Sequence, residues 1–187
     1  MRRWPAILIA ALAFGAVSGV AAYQKVRPSQ GEGVVHGTGW REITWPFPRD
    51  GWPAGRAFHC DLDSCGAEVD LYVRPKIGFC NCDSGVADDD EVDRVADLDL
   101  MSQRFVPLAA GNVIRIAGLS GRSRGYDLRM ADGSARTAIG FALSRRCDLM
   151  VAVVEGKGSA AGVQRVAQDF LESSDMSRWM MSALDGG

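Results

Sequence analysis

The residues best suited to chemistry in this sequence are five cysteines and two histidines. Cys60, Cys65, Cys80 and Cys82 lie close together along the chain, and His59 directly precedes the first of them. Closely spaced thiols can form structural disulfides, bind a soft metal ion or exchange disulfides with another protein. The compartment decides among these roles, because thiols stay reduced in the cytoplasm and are oxidised outside it.

The N-terminus predicts export from the cytoplasm. Arg2 and Arg3 precede an uncharged stretch from Pro5 to Ala22, which ends in small residues that suit a cleavage site. Residues 1–22 are therefore a signal peptide or an N-terminal membrane anchor, and an anchor would cross the membrane through residues 4–22. Both interpretations place the rest of the chain in the periplasm or another extracytoplasmic space, because the arginines stay on the cytoplasmic side.

Structural disulfides are the first interpretation of the cysteine cluster. In an oxidising compartment, bonds that join Cys60 or Cys65 to Cys80 or Cys82 would hold the later loop against the early strands. The sequence leaves the connectivity open. Because the number of cysteines is odd, the distant Cys147 is expected to be a free thiol that packs as a small apolar side chain.

Two alternatives keep the same thiols reactive. In the first, Cys60, Cys65, Cys80 and Cys82 converge with His59 on Cu(I), and the protein is a periplasmic copper chaperone or metal carrier. The spacing lacks the two C-x2-C knuckles of a zinc site, so copper is the metal expected there. In the second, Cys80 and Cys82 form a strained disulfide and act as a thiol–disulfide oxidoreductase, although the C-x-x-C motif is absent.

An acidic run and a pair of arginines make up the predicted binding surface. The acidic run loads the start of a predicted helix, where the helix dipole and free N–H groups favour negative charge. The arginines lie in a glycine-rich segment that is predicted to be a basic turn pairing with this helix. The surface consists of Asp88, Asp89, Asp90, Glu91, Arg122 and Arg124.

Short alternating apolar segments predict most of the secondary structure. Val69 to Val73 alternates as a half-buried strand does, and hairpin-length links between such segments predict an antiparallel meander. The continuously apolar segment Leu149–Glu155 predicts a central strand buried on both faces. One helix is predicted in mid-chain, capped by Asp88 or Asp89, and another after Ser159, with the helices on one side of the sheet.

These patterns predict a single folded domain over residues 40–187, preceded by a flexible, glycine-rich tether over residues 23–39. The fold class is α+β, with an antiparallel meander sheet on which a mid-chain helix and a C-terminal helix pack. The opening segment ITWPFPRDGW, the meander and a last apolar strand running into a C-terminal helix resemble the Mog1/PsbP-like domains. The resemblance covers Trp40 to Ser174 and implies a non-catalytic binding or assembly role.

Composition and missing motifs narrow the function further. A formal net charge of −2 gives no basic surface for nucleic acid. Two histidines, one of them in the predicted tether, do not supply a credible Ser–His–Asp set. The sequence therefore predicts an exported, disulfide-stabilised, non-catalytic binding or assembly module without a cofactor. Its expected partner is another membrane or periplasmic protein.

Overall fold

The computed structural model describes residues 35–36, 39–78 and 81–186, and these belong to one compact unit. The predicted leader, residues 1–22, lies outside the described residues, as does Cys80. Within the described part of the chain, no helix is long and apolar enough to cross a bilayer. Two residues of the predicted tether form a short strand, Val35–His36, so the sheet begins before Trp40.

Nine antiparallel strands form one sheet in the described residues. In space their order is β1-β2-β3-β4-β9-β8-β7-β5, and β6 pairs with β7 beside β5. The early and late strands meet where β4 pairs with β9. The strands are β1 Val35–His36, β2 Trp40–Ile43, β3 Arg56–Cys60, β4 Glu68–Lys76, β5 Phe105–Pro107, β6 Asn112–Ile116, β7 Leu119–Arg129, β8 Ala135–Arg145 and β9 Asp148–Lys157.

The glycine-rich segment with Arg122 and Arg124 is strand β7, so its prediction as a basic turn was wrong. The turn lies just before it at Ala117 and Gly118, whose φ angles of 52° and 80° give a two-residue hairpin of the primed type. Gly121 is needed inside the strand because a Cβ there would collide with the backbone of β8. Glycine in this segment therefore allows close strand packing instead of marking a loop.

Five helices lie in the described residues: α1 Leu62–Cys65, α2 Asp89–Val95, α3 Leu98–Met101, α4 Ala160–Leu171 and α5 Ser174–Asp185. Asp88 caps α2 by accepting a hydrogen bond from the Glu91 amide, and Ser159 caps α4 in the same way. Both predicted helix starts are thereby confirmed.

The helices cover both faces of the sheet, so their prediction on one side was wrong. Met150, Ala152 and Val154 of β9 pack in the same core cluster as α4 and α5. The alternate β9 residues pack in a second cluster with α2 and α3. The predicted double burial of this strand is confirmed, and it is the physical reason for two helical layers. The chain therefore has the predicted α+β fold, with an antiparallel sheet and packed helices.

Candidate functional site

Two disulfides join four of the five cysteines, with pairings that differ from the predicted ones. Cys60 is bonded to Cys65 across the short helix α1, with a Cα–Cα distance of 6.1 Å. Cys82 is bonded to Cys147, with a Cα–Cα distance of 4.2 Å and a sequence separation of 65. The expected crossed pairing and the expected free thiol at Cys147 were therefore wrong, and so was a bond between Cys80 and Cys82.

The long-range disulfide follows from the pairing of β4 with β9. The end of β4 at Lys76 lies opposite Leu149 at the start of β9. The chain that leaves β4 consequently passes the β8–β9 turn, where Cys147 is located. Gly78 confirms this proximity, since its amide donates to the Asp148 carboxylate at 2.6 Å. Both disulfides are typical of a protein in an oxidising, extracytoplasmic compartment.

The residues predicted to bind copper do not form a metal site in the described part of the chain. There, no group of three or more histidine, cysteine or carboxylate side chains could hold a metal ion. Cys60 and Cys65 would need to be reduced before they could act as thiolates. The copper interpretation also requires Cys80, which lies outside the described residues, and it stays a prediction.

His59 is held by two carboxylates. Its Nδ1 lies 2.8 Å from Asp70 Oδ1, and its Nε2 lies 2.8 Å from Asp61 Oδ1. Only an imidazolium can donate to both carboxylates at once. Desolvation lowers the pKa of His59, but the hydrogen bonds to Asp70 and Asp61 outweigh it, so the pKa is raised overall.

This arrangement predicts a pH-dependent stability. Because the folded-state pKa of His59 is raised, its contribution is complete below about pH 6.5 and is lost as the pH rises through the folded-state pKa. The charged groups that act on His59 are Asp61, Asp70 and Arg41, whose positive charge opposes protonation of the imidazole. We expect the urea midpoint to fall as the pH rises from about 6.5 to about 8, and His59→Gln to reduce that slope. An unchanged slope in the variant would contradict this assignment.

The acidic start of α2 and the two arginines of β7 bind each other. Arg122 Nη2 lies 2.6 Å from Asp89 Oδ1, and Arg124 Nη1 lies 2.7 Å from Asp93 Oδ2. A hydrogen bond from the Gly111 amide, followed by the contact with Arg122, lowers the pKa of Asp89. The predicted pairing of helix and arginines is confirmed. Of the predicted surface, Asp88 and Asp90 are exposed to solvent.

An aromatic loop, residues 44–55 between β2 and β3, forms a small pocket that was not predicted from the sequence. Phe47 packs edge-on against two other rings, with its centroid 5.3 Å from that of Trp45 and 4.8 Å from that of Tyr72. Three prolines in the loop restrict its backbone. The pocket is lined by Trp45, Phe47, Pro48, Arg49, Asp50, Trp52, Ala54 and Arg74.

A buried ion network fixes this pocket to the sheet. Arg74 of β4 is 2% exposed and forms two hydrogen bonds to Asp50, at 2.9 and 2.6 Å. It forms two more to Asp97 after α2, both at 2.7 Å. The hydrogen bond from Arg74 lowers the pKa of Asp50 to about 2. Asp50 belongs to the aromatic loop, so this network joins the loop to the α2–α3 connection.

Two cations of the same network lie over the rings of Trp45 and Trp52. The Arg74 guanidinium lies 5.7 Å from the Trp45 ring centroid, and Lys76 Nζ lies 5.7 Å from that of Trp52. Lys76 is fixed in turn by Asp97 at 2.6 Å. Cations at this distance from an aromatic face attract the ring. The pocket walls are thus held in place by groups on three separate segments.

A polar row crosses the same face of the sheet beside Tyr72. Arg41, His59, Asp70 and Glu155 are opposite one another on β2, β3, β4 and β9. Glu155 is 6% exposed, and its Oε2 has no hydrogen-bond partner. Arg136 Nη1 lies 3.2 Å away, which gives charge attraction without an aligned hydrogen bond. Desolvation raises the pKa of Glu155.

Comparisons with known proteins do not assign a family. No protein-family model matches the chain, and no curated protein matches it by sequence. Among solved structures, one match is a protein of unknown function from Pseudomonas aeruginosa. It is 12% identical, with a TM-score of 0.37, and the match covers 75% of this chain and 84% of the other. At this level of similarity, it carries no argument about function. The resemblance to Mog1/PsbP-like domains stays a prediction.

Proposed function

We propose that the protein is an exported, non-catalytic binding module that recognises another membrane or periplasmic protein through the pocket of the aromatic loop. The proposal rests on one observation. The pocket combines three partly exposed aromatic rings and the exposed Arg49 on a proline-restricted loop, which the buried Arg74 of β4 fixes through an ion network. Tryptophan and arginine dominate the binding energy of protein interfaces, especially in preformed pockets.

The size and lining of the pocket favour a protein partner. The pocket is small and mainly apolar, so it suits one apolar side chain of a partner better than a whole small molecule. Arg49 is exposed at its rim and has no side-chain ion pair or hydrogen bond among the described residues. A matching partner would therefore place an apolar side chain in the pocket and an acidic side chain beside it.

The disulfides support the proposed location. They indicate an oxidising compartment, and the N-terminal sequence supplies a leader that would deliver the chain there. Whether residues 1–22 are cleaved or kept as an anchor, the domain would work on the outer side of the membrane. This location matches a membrane or periplasmic partner.

Site-specific photo-crosslinking in intact cells tests the function. A photoreactive residue at Ala54, which is exposed and lines the pocket, should give a defined adduct with one partner protein. The same residue at Ser182, which is exposed on α5, is the matched control and should give no such adduct. Trp45→Ala should reduce the Ala54 adduct about tenfold or more, the effect of losing an interface hot spot. Equal adducts at both positions, or none at Ala54, would contradict the proposal.

A further inference from the structure

The strand β6 is an open edge of the sheet. It pairs with β7 on one side, and on its other side no strand lies against it among the described residues. The neighbouring edge strand β5 is only three residues long and contains Pro107, which limits further pairing. The five residues of β6 contain no proline. An edge strand of this kind offers its outer N–H and C=O groups to another chain.

The strand is rigidly presented although its outer side is open. Ile116 is buried in the core cluster that includes α4 and α5, and Ile114 packs against that cluster. The primed turn at Ala117 and Gly118 joins β6 tightly to β7. At the other end, the Gly111 amide donates to Asp89 Oδ2 at 2.8 Å. A strand held at both ends loses little further conformational freedom when a partner strand binds.

Apolar surface is exposed along this edge. Val113 is 78% exposed, and Val106 and Leu108 near β5 are 64% and 48% exposed. Leu108 Cδ1 approaches Gly125 of β7, so its side chain lies against the sheet beside the edge. Covering such side chains would stabilise a complex by roughly 25 cal/mol per Å² of apolar area. The edge therefore offers apolar contacts in addition to backbone hydrogen bonds.

The charges along the edge select the occupant. Arg104, Arg115 and Arg129 are exposed, and among the described residues their side chains make no ion pair or hydrogen bond. Arg122 and Arg124 are already bound by Asp89 and Asp93. A second copy of this chain would bring like charges together, since antiparallel pairing of two β6 strands places the Arg115 side chains near each other. An acidic segment would instead complement the edge.

We propose that β6 binds an extended segment of a partner protein as an added strand of the sheet, and that this segment alternates acidic with apolar side chains. Backbone pairing supplies affinity, Arg115 selects the acidic side chains on one face of the sheet, and Ile114 supplies apolar contact on the other face. This surface is separate from the aromatic loop, because β6 and β2 lie toward opposite ends of the strand order. The inference therefore stands independently of the proposed function.

A synthetic strand tests the inference. The probe is a fluorescein-labelled, N-acetylated heptapeptide of alternating glutamate and valine, titrated with the full chain while fluorescence anisotropy is measured. We expect saturable binding below about 1 mM. Arg115→Glu should weaken binding about tenfold or more, and a peptide with lysine in place of glutamate should bind this variant better than the original protein. Arg178→Glu, the same charge change on the exposed side of α5, should leave binding unchanged.

Three results would overturn the proposal. The first is the absence of saturable binding up to about 1 mM at low salt. The second concerns two peptides that are N-methylated on alternate backbone amides, one on the odd and one on the even positions. If both bind as well as the unmodified peptide, no N–H group of the peptide pairs with β6, which strand addition requires. The third is a dimer in sedimentation analysis that Arg115→Glu disrupts, which would make a second copy the occupant. Circular dichroism of each variant establishes that it is folded.

Discussion

Replacing Arg74 with methionine is expected to destabilise the folded protein by about 3–5 kcal/mol. The substitution keeps the apolar stem but removes the guanidinium that binds Asp50 and Asp97. The side chain of Asp97 is only 11% exposed, and it forms ion pairs with Arg74 and Lys76. The variant would lose the first of these ion pairs and keep the second. Leaving a buried carboxylate with incomplete compensation is among the most destabilising single changes.

Urea unfolding of Arg74→Met gives the loss of stability directly. Arg178→Met is the matched control, because its partner Asp175 lies 3.4 Å away and the Arg178 side chain is 75% exposed. Exposed ion pairs contribute about 0–1 kcal/mol, so this control should unfold almost as the original protein does. A loss below about 1 kcal/mol for Arg74→Met would show that the network does not stabilise the fold.

The consequence for the aromatic loop follows from the same network. Without the guanidinium, Asp50 loses its bond to the sheet and Trp45 loses the cation beneath its ring. The fluorescence of Trp45 and Trp52 should therefore shift toward that of water-exposed indole in the folded variant. Acid should shift the tryptophan fluorescence in the same direction, because protonation of the Asp50 carboxylate removes its ion pair with Arg74. The pKa of Asp50 is lowered to about 2. The stabilisation from this carboxylate is present above its usual pKa of about 4 and disappears as the pH falls toward 2.

Features with a local physical cause could be predicted from the sequence. The cap at Asp88 and the alternation in β4 depend on residues a few positions apart, and both were predicted. The continuous apolar run of β9 also predicted its burial on both faces. The helical layer over each face follows from this burial, although the helices were expected on one side only. Placing the helices on both faces requires the register of the sheet, which depends on pairing between distant strands and is not encoded in any short segment.

Non-local pairing explains what the sequence analysis missed. The alternation predicted for β4 leaves Arg74 on the side opposite Val69 and Val73, and only the α2–α3 connection and the aromatic loop convert that side into a buried ion site. The pairing of the acidic helix with the two arginines was predicted, because opposite charges in two short segments suggested it, but the individual partners were not. The aromatic loop was noted only as the opening segment of the resemblance to Mog1/PsbP-like domains, and its pocket was not predicted. Its three aromatic residues interleaved with prolines were the available signal for a rigid, exposed apolar surface.

The two disulfides are expected to differ in their effect on stability by about a factor of two. The Cys82–Cys147 bond spans 65 residues and the Cys60–Cys65 bond spans 5. The entropy of closing these loops in the unfolded chain corresponds to about 4 kcal/mol for the long loop and about 2 kcal/mol for the short one. The double variant Cys82→Ser/Cys147→Ser should therefore lose more stability than Cys60→Ser/Cys65→Ser.

Each double variant retains Cys80, so both have the same fifth cysteine and differ only in the disulfide removed. Urea unfolding without reductant, after mass mapping has shown that the remaining disulfide is intact, measures the two losses on equal terms. The m-value of Cys82→Ser/Cys147→Ser should also rise, since its unfolded chain loses a long loop and exposes more surface. Equal losses in the two variants would mean that native contacts around Cys60, which is fully buried, outweigh loop closure in the unfolded chain.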